Sequence, residues 1–121
     1  QHGVILEKAT LTFNGIGHII KGAKGADAQQ ESRVLMLSDQ ARSDANPILL
    51  IDENDVTAGH AASIGQVDPE DMYYLMSRGL DQATAERLVV RGFLGSVIVE
   101  IPVKEVREEM IQTIEDKLLK R

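Results

Sequence analysis

The chain has 121 residues, no cysteine and a formal net charge of −6. A chain of this length forms one domain, or one domain with an appendage. The acidic charge argues against nucleic-acid binding, which rests on neutralised phosphates, and no apolar run approaches the roughly 20 residues of a membrane span. Without cysteine the chain cannot supply a disulfide or a thiolate ligand. These features predict a soluble cytoplasmic protein.

The first half of the chain, residues 1–67, has the apolar period of β-strands. Two sets of alternating residues indicate strands, Leu11 with Phe13 and then Ile16 with His18 and Ile20. Two denser apolar runs follow at 34–37 and 48–51, each bounded by turn residues. The chain begins at Gln1 with the apolar run 4–6 close behind it, which predicts that it opens within a strand as a piece of a longer chain.

The connections between these strands limit the fold. No connection shows ten residues of helical periodicity, so the crossover helices of a conventional parallel sheet are not expected. An antiparallel sandwich and a β-solenoid remain. The apolar centres near Ile19, Leu35 and Leu49 recur at intervals of about sixteen and fourteen residues, which favours the stacked rungs of a solenoid.

The second half, residues 68–121, has the period of helices. Asp68 and Pro69 are typical of a helix start, and Arg78-Gly79 of its end, so a first helix is expected from Pro69 to Arg78. Asp81 should cap a second helix, and Pro102 should precede a third. The expected apolar stripe of the second helix is Ala85, Leu88, Val89, Phe93 and Val97. That of the third is Val103, Val106, Met110, Ile114 and Leu118. Such narrow stripes leave room for another protein.

The glycine-rich segment 15–25 raises the question of a phosphate-binding loop. Gly17 and Gly22 have the required separation, but Ala23-Lys24 stands where Lys-Ser or Lys-Thr is needed. A strand pattern also follows in place of a helix. The glycines are therefore assigned to strand turns and bends.

Among the histidines, His60 is the one candidate for chemistry. It lies in the small-residue run 57–63, which offers its imidazole little cover. An imidazole there could ligate a metal or carry a proton, or it could make only a structural hydrogen bond. His18 is expected to be a hydrogen-bonded structural residue. The acidic cluster at 52–55 lacks the ligand spacing of a calcium loop and is interpreted as a solvated turn.

Several separated segments resemble the SufB/SufD family of iron–sulfur cluster assembly scaffolds. They occur in order along nearly the whole chain. The segments are 15–30 (Gly-Ile-Gly-His-Ile-Ile-Lys-Gly onward), Leu37-Ser38-Asp39, Asp44-Ala45-Asn46-Pro47, 55–60 (Asp-Val-Thr-Ala-Gly-His), 61–65, 73–79 (Tyr-Tyr-Leu-Met-Ser-Arg-Gly) and 85–89. Ala58-Gly59-His60 stands where some relatives have Cys-x-His, which favours the SufD branch over SufB, whose assembly role needs cysteines.

The resemblance implies a fold and partners. Residues 1–67 would be the last rungs of a right-handed parallel β-helix, from the C-terminal part of a longer subunit, and residues 68–121 an all-α domain. The β-helix would pair with SufB, and the helical domain would dock the ATPase SufC. The segment 68–93 would supply the docking surface. Its candidate contact residues are Tyr73, Tyr74, Arg78, Arg87 and Arg91.

The resemblance also implies a role for His60. The family's histidine at this point belongs to the nascent cluster site, together with a cysteine from SufB. Two hypotheses follow. In the first, the chain is a non-enzymatic scaffold that gives one ligand to a transient cluster at the SufB interface and binds no cofactor stably. In the second, it is a purely structural interaction module. The exposed strand edge of such a fragment also predicts a homodimer.

Overall fold

The computed structural model describes residues 1–119, and these form five strands followed by three helices. The elements are β1 His2–Ile5, β2 Thr10–Ile19, β3 Asp27–Met36, β4 Arg42–Ile51, β5 Thr57–Gln66, α1 Pro69–Ser77, α2 Gln82–Ile98 and α3 Lys104–Leu119. The chain divides into two compact units, one holding Gly3–Gly65 and the other beginning at Gln66. Within the described residues, no helix is both long enough and apolar enough to span a membrane.

Each strand pairs in parallel with the next strand but one in the sequence. One sheet has the order β1-β3-β5, and the other contains β2 and β4. The register of the second sheet begins with Thr10 opposite Arg42 and continues for the 10 residues of each strand. Within it, Asn46 Nδ2 donates a hydrogen bond to Asn14 Oδ1 at 3.1 Å, across a separation of 32 residues. Successive strands therefore alternate between the two sheets.

The predicted β-helix for residues 1–67 is wrong. The described residues form two small parallel sheets and three helices in an α/β arrangement, with no closed solenoid. The antiparallel sandwich is wrong too, because the pairing is parallel. The period of two assigns each side chain to a face of a strand but does not choose the partner strand. The sequence predicts that apolar segments next to each other in the chain stack, whereas the paired residues of β2 and β4 are 32 positions apart in the sequence. The strand β3, and not a crossover helix, connects β2 to β4.

The core of the first unit joins the two sheets. Its members are Ile5, Val34 and Ala41, which are buried, and Leu11, Phe13 and Met36, which pack against them. The first alternating set of β2 thus faces inward, while Thr10 and Thr12 are exposed, as the sequence predicts.

The second alternating set of β2 has the opposite orientation. Ile16 and His18 lie on the exposed face, and Gly15 and Ile19 are buried. A Cβ at Gly15 would overlap the side-chain amide of Gln30 on β3, so a larger residue there would displace the end of that flexible side chain. The glycine-rich segment therefore serves close packing within a strand, and its two turn glycines, Gly22 and Gly25, have φ of 96° and 73°.

The helices begin and end close to the predicted residues. The Asp68 carboxylate accepts from the Glu70 N–H at 2.8 Å at the start of α1, and Gly79 follows its end with φ of 93°. Asp81 caps α2 by accepting from the Thr84 N–H at 2.7 Å. The predicted stripe of α2 is partly wrong. The buried residues of α2 are Ala85, Val90 and Ile98, whereas Leu88 and Val97 are exposed.

The position of the core predicts that two isoleucines of the first unit contribute very differently to the free energy of unfolding. Ile5→Ala should lower the free energy of unfolding by about 2–5 kcal/mol, because it leaves a cavity among Val34, Leu11 and Phe13. Ile16→Ala is the matched control, since Ile16 is 66% exposed, and it should change stability by less than about 0.5 kcal/mol. Urea unfolding followed by circular dichroism measures both. Equal losses in the free energy of unfolding would contradict the assignment of Ile5 to the core.

Candidate functional site

His60 lies on β5, the strand at one edge of the three-stranded sheet. Two backbone hydrogen bonds set the start of this strand against β3, from Gly25 N to Asp55 O at 2.7 Å and from Thr57 N to Ala26 O at 2.9 Å. After this start, the side chains of β5 are uncovered, since every residue from His60 to Gln66 is exposed. The imidazole therefore stands on a strand whose far edge is not paired with any other described strand.

Gly59 lies against a side chain of the neighbouring strand. A Cβ at that position would lie 2.6 Å from Gln29 Oε1 of β3. A larger residue here would therefore displace the end of the flexible Gln29 side chain. The residue that precedes His60 is thus a packing residue, and the small side chains around it leave the imidazole accessible.

His60 has no companion ligands in the part of the chain that the structure describes. Those residues contain no group of three or more His, Asp or Glu side chains that could hold a metal ion, and the sequence has no cysteine. His60 can therefore give one ligand to a metal site, and a complete site would need ligands from outside the described residues.

His18 lies in the other sheet and is engaged differently. Its Nε2 lies 2.8 Å from Asp52 Oδ2, in a pair whose two side chains are both largely exposed. The hydrogen bond expected of His18 is present. Exposed pairs of this kind contribute little to stability, about 0–1 kcal/mol.

Glu53 closes the turn that precedes β5. Its carboxylate accepts from the Gly22 N–H at 2.9 Å and from the Asn54 N–H at 3.0 Å. The Gly22 N–H lowers the pKa of Glu53 below its ordinary value of 4.5. The N–H groups of Asn54 and Asp55 act in the same direction, and partial desolvation opposes them. The sequence indicated only a solvated turn, because nothing local identifies Gly22 as the partner.

The five residues predicted to contact a partner fall into two groups. On α1, Tyr73 is 77% exposed, and Arg78 places its guanidinium 5.2 Å from the ring centre of Tyr74. Arg78 also donates to the Tyr74 hydroxyl at 3.2 Å. This end of α1 therefore presents two aromatic rings and a cation to the surface, where such side chains often anchor an interface.

The two arginines of α2 are engaged within the helical unit. Arg87 is half-buried and donates to Thr84 Oγ1 at 3.3 Å. The backbone and hydroxyl of Thr84 lower the pKa of Asp81, and the charge of Arg87 adds to this effect. Arg91 forms an ion pair with Glu115 of α3 at 3.1 Å. The structure thus brings Tyr74 and Arg78 together and gives Arg87 and Arg91 partners inside the unit.

Residues 1–93 match the family model described as SUF system FeS cluster assembly, SufBD core domain. The chain belongs to the SufBD core family. The matched range includes His60 and all five candidate contact residues, and the family resemblance of the sequence is confirmed. Residues after 93, including all of α3, lie outside that range.

Relatives in the SufBD family extend the match. The chain is 59% identical over 118 residues to the iron-sulfur cluster assembly protein SufD of Bacillus subtilis, covering 98% of the chain and 27% of that protein. It is 46% identical over 97 residues to a SufBD family protein of Mycobacterium tuberculosis, covering 79% of the chain and 24% of that protein. The chain thus spans about a quarter of the length of these relatives.

The turn at Glu53 predicts a pH effect on stability. The pKa of Glu53 is lower in the folded protein than its ordinary value of 4.5. Its carboxylate therefore stabilises the fold at pH values above 4.5, and this contribution is lost as the pH falls through the lowered pKa. Glu53→Gln keeps an acceptor oxygen but cannot titrate, so its stability should fall less steeply on acidification. Thermal unfolding of both proteins across the acidic range measures the difference. Parallel curves would contradict the role given to this carboxylate.

Proposed function

We propose that the chain is a scaffold segment of the SUF iron–sulfur cluster assembly system, binding partner subunits without turning over a substrate of its own. Membership of the SufBD core family and the 59% identity to an iron-sulfur cluster assembly protein support this. The observation that carries the proposal is the exposed imidazole of His60 on an edge strand. Among the described residues, it belongs to no group of three or more side chains that could hold a metal ion.

The edge of β5 is the proposed pairing surface for SufB. An edge strand offers unpaired N–H and C=O groups, which a strand of a second chain can bind. In this arrangement His60 lies at the junction and gives one nitrogen ligand to a cluster that is being built. The thiolates that iron–sulfur clusters prefer then come from SufB, as the family resemblance implies, and none comes from these 121 residues. The cluster is cargo in this mechanism.

The exposed end of α1 is the proposed docking surface for the ATPase SufC. Tyr73 offers a large apolar side chain, and the Tyr74–Arg78 pair offers a ring and a cation held in one geometry. Tyr and Arg are enriched among residues that dominate binding energy. Arg87 and Arg91 are weaker candidates, since binding would compete with their contacts to Thr84 and Glu115.

The role of His60 is tested by His60→Ala in the full-length subunit, mixed with SufB and SufC. The complex should assemble as the wild type does, because the imidazole is exposed and holds nothing in the sheet. Cluster formation should fall by at least about tenfold, as measured by visible absorption during anaerobic reconstitution. Loss of a residue that only supports a metal ligand already costs about tenfold or more, and loss of a ligand should cost at least as much.

His18→Ala is the matched control for that experiment. It removes an exposed imidazole from the other sheet and should leave cluster formation unchanged. If His60→Ala also left cluster formation unchanged, the chain would be a structural interaction module with no part in ligation.

The docking surface is tested by the double variant Tyr73→Ala with Arg78→Glu. Removing an anchor ring and reversing a charge should weaken SufC binding by about tenfold or more, as measured by calorimetry with the full-length subunit. Ile16→Ala with Arg33→Glu is the control, because it makes the same charge change and removes an exposed apolar side chain from the other unit. Equal affinities for the two variants would rule out α1 as the docking surface.

A further inference from the structure

The apolar residues in α3 and Val103, which immediately precedes it, differ in how far they are buried. Ile114 faces α2, where it lines a shallow groove with Leu94 and Ile98. Val103, Val106 and Met110 remain 49%, 42% and 38% exposed. These last three residues are named here the α3 stripe. The sequence predicted one continuous stripe through Leu118, but packing against α2 uses only part of it.

Two polar contacts fix which side of α3 meets α2. Glu115 pairs with Arg91 of α2 at 3.1 Å, and Arg107 donates to the carbonyl of Ile101 in the connecting loop at 3.0 Å. Val106 comes one residue before Arg107, so it is rotated by about 100° around the helix from that contact. Met110 lies one turn after Val106 and one turn before Ile114, so it borders the face that meets α2. Within the helix, Val106 is the member of the α3 stripe that is rotated farthest from that face.

Acidic side chains lie along one side of the α3 stripe. Glu105 and Glu109 each come one residue before a member of the stripe, and Asp116 continues their row toward the end of the helix. All three are exposed. Lys104, in contrast, is engaged by Glu108 at 3.5 Å. The helix thus presents an exposed apolar strip with a row of carboxylates along one side.

From this pattern we infer that the α3 stripe docks an amphipathic helix of another protein, one that carries lysine or arginine beside its own apolar face. The apolar side chains give affinity when they leave water, and the carboxylates select the charge and orientation of the incoming helix. A second copy of the chain fits less well, because it carries the same acidic row and the same net charge of −6. The α3 stripe shares no residue with the surfaces used in the proposed function, so the two proposals can fail separately.

The inference is tested with the 121-residue chain and two synthetic helical peptides of equal length. Both carry leucines at helical spacing, one flanked by lysines and the other by glutamates. In fluorescence anisotropy the lysine peptide should bind and the glutamate peptide should not, and added salt should weaken binding. Val106→Ser with Met110→Ser keeps the charge and should weaken binding by about tenfold or more. Ile16→Ser with Ile48→Ser, on the exposed face of the β2–β4 sheet, should not.

Charge reversal gives a second, independent readout. Glu105→Lys with Glu109→Lys retains the apolar side chains, so it tests the proposal even if the serine variant loses helix by circular dichroism. It should weaken binding of the lysine peptide and admit the glutamate peptide. Equal binding of both peptides to the wild type, no effect of the stripe variants, or a wild-type dimer that the serine variant abolishes in sedimentation equilibrium would each overturn the inference.

Discussion

The parallel register of β2 on β4 is the constraint on which the first unit depends. Thr10 lies opposite Arg42 and the pairing continues for ten residues, while β3 runs in the other sheet between β1 and β5. The asparagine pair Asn14–Asn46 suits this register because identical amides one above the other can hydrogen-bond. The order β1-β3-β5 then leaves β5 at an edge. His60 is exposed because this part of β5 is covered on neither face, as residues 60–66 are all exposed.

Two glycines lie close to side chains of β3. Gln29 and Gln30 of β3 reach toward Gly59 of β5 and Gly15 of β2, where a Cβ would overlap the ends of these flexible side chains. β3 is therefore in contact with strands of both sheets. Glu53 adds a turn-to-turn link by accepting the Gly22 N–H just before β5 begins. Together these contacts hold the strand that carries His60 while leaving the imidazole itself without cover.

The helical unit divides its charged residues between internal contacts and surface. Arg87 and Arg91 are committed to Thr84 and Glu115, which set the start of α2 and the position of α3. The exposed side chains include the aromatic end of α1 and the α3 stripe. The two surfaces differ in chemistry, one aromatic with a cation and the other aliphatic with carboxylates beside it.

The sequence by itself determined the local features of this protein. Asp68 and Asp81 as helix caps, Gly79 as a stop and the inward Leu11–Phe13 pair all follow from interactions within a few residues, and ordered motifs along the chain identified the family. Tertiary structure decided the rest. It set the 32-residue pairing that replaced the expected β-helix, the inversion of Ile16 and His18 to the exposed face, and the shifted stripe of α2. It also set the partners of Glu53 and Arg91. The reason is physical. Periodicity fixes which side of a strand or helix is apolar, whereas strand partners and long-range contacts depend on which distant surfaces pack together.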